Sequence, residues 1–185
     1  MAISGITGYE QDMVSDEALM LDFQRGSREA LEELFARYRQ PLYGFFRRRL
    51  ESRNRAEDLV QETFLAVIRG ASRYEPRALM RTYLYGIALK LVAAERRKLT
   101  RDPAPEQPDA VGGAVENVLW IQQALEKLDP SEREILMLRE YEQLSYGEIA
   151  DLLRLPVNTV RSRLFRSRLA LKQRLEPASR LDIEA

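Results

Sequence analysis

Apolar residues recur three and four positions apart through most of the chain, the spacing of one face of a helix. No alternating pattern long enough for a strand interrupts them, and no internal repeat appears. Ser27 is placed to cap a helix from Arg28 to about Tyr38, which sets Leu31, Leu34, Phe35 and Tyr38 on one face. A second helix is expected from about Leu42, carrying Tyr43, Phe45 and Phe46. A third runs from about Ala56 to Ile68, with Leu59, Phe64, Val67 and Ile68 inward. Residues 70–76 break the pattern. A fourth helix is expected near residues 79–99, with Leu84, Ile87, Ala88, Leu91 and Val92 inward. Four amphipathic helices with short connections predict a small bundle.

Residues 101–113 carry three prolines and two glycines and cannot continue a helix. They predict an acidic, extended linker. Beyond it, residues 117–128 predict a helix holding Leu119, Trp120, Ala124 and Leu128. Asp129, Pro130 and Ser131 stop it. Ser131 is expected to cap a helix from Glu132 to about Tyr141 with Ile135, Leu136 and Leu138 buried. Ser145 caps a short helix to Leu153, and Glu148 three residues on completes a capping box. Arg154, Leu155 and Pro156 make a turn. Asn158 or Thr159 opens a long last helix ending near Glu176. The expected class is all-α: two small helical domains joined by a flexible linker, the second with a helix-turn-helix. The boundaries are a leader at 1–15, a first domain at 16–99, a linker at 100–116, a second domain at 117–176 and a tail at 177–185.

Composition narrows the function. With 45% hydrophobic residues in 185, a packed core is available. No apolar run approaches the roughly 18 residues of a membrane span, and the N-terminus lacks a basic-then-apolar signal, so no membrane insertion is expected. The absence of cysteine fits a reducing cytoplasm. The absence of histidine removes the commonest general base and metal ligand. No phosphate-cradling glycine loop or metal-spaced cluster appears, so neither an enzyme nor a cofactor or metal site is expected.

The 29 basic and 29 acidic residues balance but are segregated. Residues 157–174 carry Arg161, Arg163, Arg166, Arg168, Lys172 and Arg174 without an acid. Residues 90–101 carry Lys90, Arg96, Arg97, Lys98 and Arg101 against Glu95 alone. Such segments suggest defined nucleic-acid contacts. On the last helix Val157, Val160, Leu164 and Leu171 share a face that should pack on Ile149, Ala150 and Leu153. The opposite side carries Asn158, Arg161, Ser162, Phe165 and Arg166. Such residues hydrogen-bond base edges, bind phosphates and touch thymine methyls.

These segments resemble a known family. The run from Ser145 to Ala150 (SYGEIA) with that from Val157 to Arg168 (VNTVRSRLFRSR) is similar to the DNA-binding helices of domain four in extracytoplasmic-function (ECF) sigma factors. The run from Leu128 to Glu134 (LDPSERE) resembles that domain's lead-in. The run from Ala56 to Phe64 (AEDLVQETF) resembles the domain-two helix that docks on RNA polymerase, and TYLYGIA from Thr82 resembles the start of its −10-reading helix. Together these span about residues 18–175. The resemblance implies a factor that binds core RNA polymerase, recognises −35 and −10 promoter elements and melts DNA. Asn158, Thr159, Arg161, Ser162, Phe165 and Arg166 would read the −35 duplex. Arg73, Tyr74, Tyr83, Tyr85, Lys90, Arg96, Arg97 and Lys98 would serve the −10 element. Asp58, Gln61, Glu62, Phe64 and Leu65 would face the clamp helices of the polymerase's largest subunit. The flap of the second-largest subunit and an anti-sigma factor are further implied partners.

The −10-reading helix departs from the family pattern: Tyr83 stands where Trp is common, Gly86 where Arg is, and Leu89-Lys90 where Arg-Asn is. Ala94 replaces a downstream acid. In the linker, Asp102, Glu106, Asp109 and Glu116 would stand in for RNA phosphates in the polymerase's exit path, or belong to a plain solvated tether. An alternative from the residues alone is a stand-alone helix-turn-helix regulator with an N-terminal sensing domain, which predicts DNA binding without polymerase.

Overall fold

The computed structural model describes residues 14–50, 52–101, 121 and 123–175, and every regular element among them is a helix. The N-terminal half holds α1 (Asp16–Gln24), α2 (Arg28–Arg47), α3 (Arg53–Gly70), a single 3-10 turn (Ala71–Arg73) and α4 (Met80–Arg101). Ser15, Ser27 and Ser52 each begin a helix by accepting a backbone amide three residues on. Gly26, with φ of 106°, supplies the left-handed residue that reverses the chain between α1 and α2.

Two of the four expected helices are one. Helix α2 runs unbroken through Pro41. A proline in a helix interior costs about 3 kcal/mol. Leu34 before it and Leu42, Phe45 and Phe46 after it are fully buried. Each such side chain contributes roughly 1.5–3 kcal/mol, so packing on both sides outweighs the lost hydrogen bond. The bundle's fourth member is α1, a separate short helix whose Leu19 and Met20 close the core. Ile68, expected inward, is 44% exposed.

Arg55 ties α3 to α4. Its guanidinium donates to Glu95 at 2.8 Å and to Glu62 at 2.9 Å. Glu95 is buried, and Arg55 beside it holds its carboxyl below the usual carboxylate range.

In the C-terminal half, residue 121 and residues 123–126 are helical, followed by α5 (Pro130–Glu140), α6 (Tyr146–Leu153) and α7 (Val157–Leu175). Asp129, not Ser131, caps α5: its carboxylate accepts the amides of Ser131 and Glu132, with Pro130 in the first turn. Helix α7 opens at Val157, one or two residues before the expected start, and Val157 lies 38% exposed instead of joining the core. Ala124, Leu128, Ile135, Leu136 and Leu138 are buried as expected. Leu119, Trp120 and the linker acids Asp102, Glu106, Asp109 and Glu116 lie outside the described residues.

The halves touch where α4 meets α6. A Cβ built on Gly86 would sit 3.5 Å from Leu152 Cδ1, an ordinary contact that leaves the position open to alanine.

Glu95→Gln should lower N-terminal-half stability by about 1–3 kcal/mol, because Arg55 loses its charged partner in a buried place. The contribution of a depressed carboxylate is complete above its unfolded value of about 4.3 and is lost as pH falls through the lower folded value. Urea denaturation from pH 7 to pH 3 should therefore show the wild-type and variant curves converging only at the acid end.

Candidate nucleic-acid interface

The helix-turn-helix is built by local chemistry. Ser145 accepts the Glu148 amide while the Glu148 carboxylate accepts the Ser145 amide, so both capping-box bonds are made. Arg154 ends α6 in the left-handed conformation (φ 54°, ψ 48°), and the Leu155 amide donates back to the Ala150 carbonyl at 2.9 Å. That geometry swings α7 across α6, with Val160 and Leu164 buried against Ile149 and Ala150 in one core. Leu171 is partly buried.

The opposite face of α7 gathers the residues expected there. Asn158, Arg161, Ser162, Phe165 and Arg166 are exposed, and Thr159 is half-buried. Phe165, at 69% exposure, is the most exposed large apolar side chain described. Arg161 has no partner among the described residues. Arg166 donates to Glu132 at 2.9 Å and Arg168 to Glu140 at 2.6 Å. Surface pairs of this kind are worth at most about 1 kcal/mol, so both guanidinium groups are readily freed.

The second expected group is spread along α4 and the segment before it. Arg73, Lys90, Arg96, Arg97 and Lys98 are exposed and Tyr83 is half-buried. Tyr74 is buried, edge to face with Tyr83 at 5.4 Å between centroids. Its hydroxyl is buried with no hydrogen-bond partner among the described residues, and burial pushes the phenol's pKa up. Gln24 pins the segment from α1: its side-chain amide donates to the carbonyls of Ala71 at 2.5 Å and Tyr74 at 2.8 Å. Gly70 makes room for Tyr83, since a Cβ there would lie 2.8 Å from the Tyr83 hydroxyl.

Tyr85 stands apart from this group. It is 4% exposed, covered by the C-terminal half, and its hydroxyl donates to Glu142 at 3.4 Å. Burial first, then the Glu142 charge, raises its pKa. Around it three arginines of the N-terminal half meet acids of the C-terminal half. Arg48 donates to both Glu142 oxygens at 2.9 Å and stacks over the Tyr141 ring. Arg49 donates to Glu134 at 2.7 Å and to Glu142 at 3.3 Å. Arg81 grips both Glu148 oxygens. Burial would raise the Glu148 pKa, but Arg81 and the Ser145 amide together hold it below the usual range. Sequence reasoning missed these arginines, because their partners lie about 65 to 95 positions away.

The third expected group lies on α3. Asp58, Gln61 and Leu65 are exposed, and Glu62 is half-buried on Arg55. Phe64 is buried, packed edge to face on Phe35 at 4.8 Å. It floors a groove of about 370 Å³ whose walls include Leu31, Leu65 and Ile68. Ile68 belongs to this face; positions 61, 65 and 68 form a second helical stripe that could have signalled it. A larger apolar groove of about 560 Å³ lies in the C-terminal half between Leu125, Leu136, Tyr141, Leu171 and Leu175.

Comparison with known proteins follows these surfaces. Residues 34–102 match the family model for Sigma-70 region 2, and residues 119–171 that for Sigma-70 region 4. The RNA polymerase sigma-H factor of Pseudomonas aeruginosa is 31% identical over 185 residues, covering 89% of this chain and 96% of its own. The ECF RNA polymerase sigma-E factor of Escherichia coli strain K12 is 30% identical over 194 residues, covering 91% and 98%. Among solved structures, CnrH in complex with the cytosolic domain of CnrY superposes with a TM-score of 0.66 at 25% identity, over 85% of this chain and 95% of that one. The sigma factor RpoE of Bartonella quintana, solved with the anti-sigma factor NepR, shares the fold: TM-score 0.64 at 22% identity, over 80% of this chain and 97% of that one.

Gly70→Ala should destabilise the protein even though alanine favours a helix by up to about 1 kcal/mol, because overpacking against the Tyr83 hydroxyl costs about 1–3 kcal/mol. In a Tyr83→Phe background the clash is gone and the same change should be neutral or stabilising. Thermal melts of the four proteins check this; a loss of equal size in both backgrounds would contradict it.

Proposed function

Since the chain belongs to the ECF sigma factors of bacterial RNA polymerase, we propose that its two halves divide promoter recognition between the faces described above. It is a promoter-recognising sigma factor. The α7 face from Asn158 to Arg166 enters the major groove of the −35 element. The single observation that carries this reading is Phe165: a helix that buries Val160 and Leu164 correctly leaves an aromatic ring in water among Arg161, Ser162 and Arg166. An apolar ring at that place suits thymine methyls.

The segment from Arg73 to Tyr83 serves the −10 element, where an extruded base needs aromatic contact to replace lost stacking. Arg96, Arg97 and Lys98 hold backbone phosphates. Tyr83, half-buried, supplies the aromatic surface, backed by the buried Tyr74, whose segment Gln24 pins. The groove over Phe64, with Asp58, Gln61, Glu62, Leu65 and Ile68, docks the clamp helices of the largest polymerase subunit. The apolar groove of the C-terminal half receives the flap of the second-largest subunit. An anti-sigma factor is a further partner, as it is for the Bartonella quintana protein. Action is by binding and not by catalysis, which the absence of histidine and cysteine supports. No helix among the described residues is long and apolar enough to cross a membrane, and we place the protein in the cytoplasm with its polymerase.

Transcription in vitro with purified core polymerase on a random promoter library tests the reading. On a promoter so selected, Arg161→Ala or Arg166→Ala should weaken −35 recognition by about 1–3 kcal/mol. Unchanged affinity for both would remove the reading face. Leu65→Asp, at an exposed position, should leave the fold intact and weaken core-polymerase binding by at least about 1 kcal/mol.

A further inference from the structure

Resting on the reading of α4 as a DNA-facing helix, we propose that Arg48, Arg49 and Arg81, together with Tyr85, form an additional binding surface for the phosphate backbone of DNA, which the protein's own carboxylates occupy in the free chain. Arg48 and Arg49 follow the last turn of α2, and Arg81 lies in the first turn of α4. They converge around Tyr85. Guanidinium groups beside an aromatic ring are the chemistry of a nucleic-acid surface.

The form of the contacts supports this. Arg81 engages Glu148 through two nitrogens and both oxygens, the fork geometry that also fits a phosphate, and Arg48 sets one nitrogen between both oxygens of Glu142. Glu134, Glu142 and Glu148 of the C-terminal half thus stand where phosphates would. The burial of charge is itself informative. The side chains of Arg49 and Glu142 are 1% and 2% exposed. A permanent interface between halves is more stable when apolar, because desolvating ions offsets most of their attraction. Charged faces suit an interface that must part, since both stay soluble when separated. Fully extended, the chain between Arg101 and Ile121 spans up to roughly 70 Å, so separation meets no covalent limit. Tyr85 cannot touch DNA while Glu142 covers it, so the closed arrangement and the DNA-bound one exclude each other.

The test uses the full chain. Glu134→Gln, Glu142→Gln and Glu148→Gln combined remove the charges and keep the shape, and glutamine preserves the capping box. Binding of a fluorescent mixed-sequence duplex is measured by anisotropy over a range of salt. The wild-type chain meets the duplex closed, without these arginines, and the opened variant meets it with them, so the variant should bind about tenfold tighter at low salt. Three added phosphate contacts steepen the logarithmic salt dependence by about 2.7. Adding Arg48→Ala and Arg81→Ala removes two of the three contacts and should take back about 1.8 of the slope and most of the gain in affinity. An unchanged slope in the triple variant, or a gain that survives loss of the arginines, overturns the proposal.

A second arm locks the halves. The chain has no cysteine, so Gly86→Cys with Leu152→Cys sets two thiols on facing sides of the contact for oxidative cross-linking. The oxidised protein should fail to initiate with core polymerase and recover on reduction; equal activity in both states overturns the proposal. Failure of the wild-type chain to initiate would instead sink the promoter reading of α4, leaving the duplex-binding arm to decide this one.

Discussion

Glu142 is a buried carboxylate whose lost hydration a neighbouring cation must offset, and the arginines that face it come from the other half of the molecule. Most of the arrangement follows from that requirement. Arg49 reaches Glu142 while holding the Phe45 carbonyl at 3.0 Å and lying 3.6 Å over the Phe45 ring. The charge is therefore anchored in the fully buried core of α2. The same contact fixes which face of the C-terminal half turns inward, sets Leu152 against Gly86 and closes Tyr85 from solvent. The α7 face that carries Asn158, Arg161, Phe165 and Arg166 is left exposed.

The two halves hold their internal structure by different means. The N-terminal bundle is a continuous aromatic and aliphatic core around α2, braced by Arg55 between α3 and α4. The C-terminal half is smaller and leans on helix termini: Asp129, Ser145 with Glu148, and the left-handed Arg154. Each terminus leaves backbone groups that something must satisfy. Here capping side chains and a tight turn do it, which sets the crossing of α6 and α7 with few core residues.

Much of this was readable from the chain, and the misses share a cause. Ser27, the capping box and the turn after Leu153 announce themselves because their chemistry is local. So does the exposure of Phe165, which periodicity places off the core stripe. The break expected between Tyr38 and Leu42 is absent because Pro41, a local helix-breaker, is overruled by the burial of Leu42, Phe45 and Phe46. Asp129 took the cap expected of Ser131 because its carboxylate reaches two amides at once. Ile68 looked like core because its outward neighbour Leu65 is equally apolar. The burial of Tyr85 and the pairing of Arg48, Arg49 and Arg81 were invisible for a simpler reason: contacts between halves leave no period in either one.

Glu148 belongs to two structures at once. One of its oxygens closes the Ser145 box that starts α6, and its carboxylate also receives Arg81 from across the contact. Losing Arg81 would not uncap the helix, because the bonds to Ser145 lie wholly within the C-terminal half. The helix-turn-helix thus keeps its shape whether docked or released. On the proposal above, parting of the halves is a hinge of preformed bodies, and neither half has to refold for it.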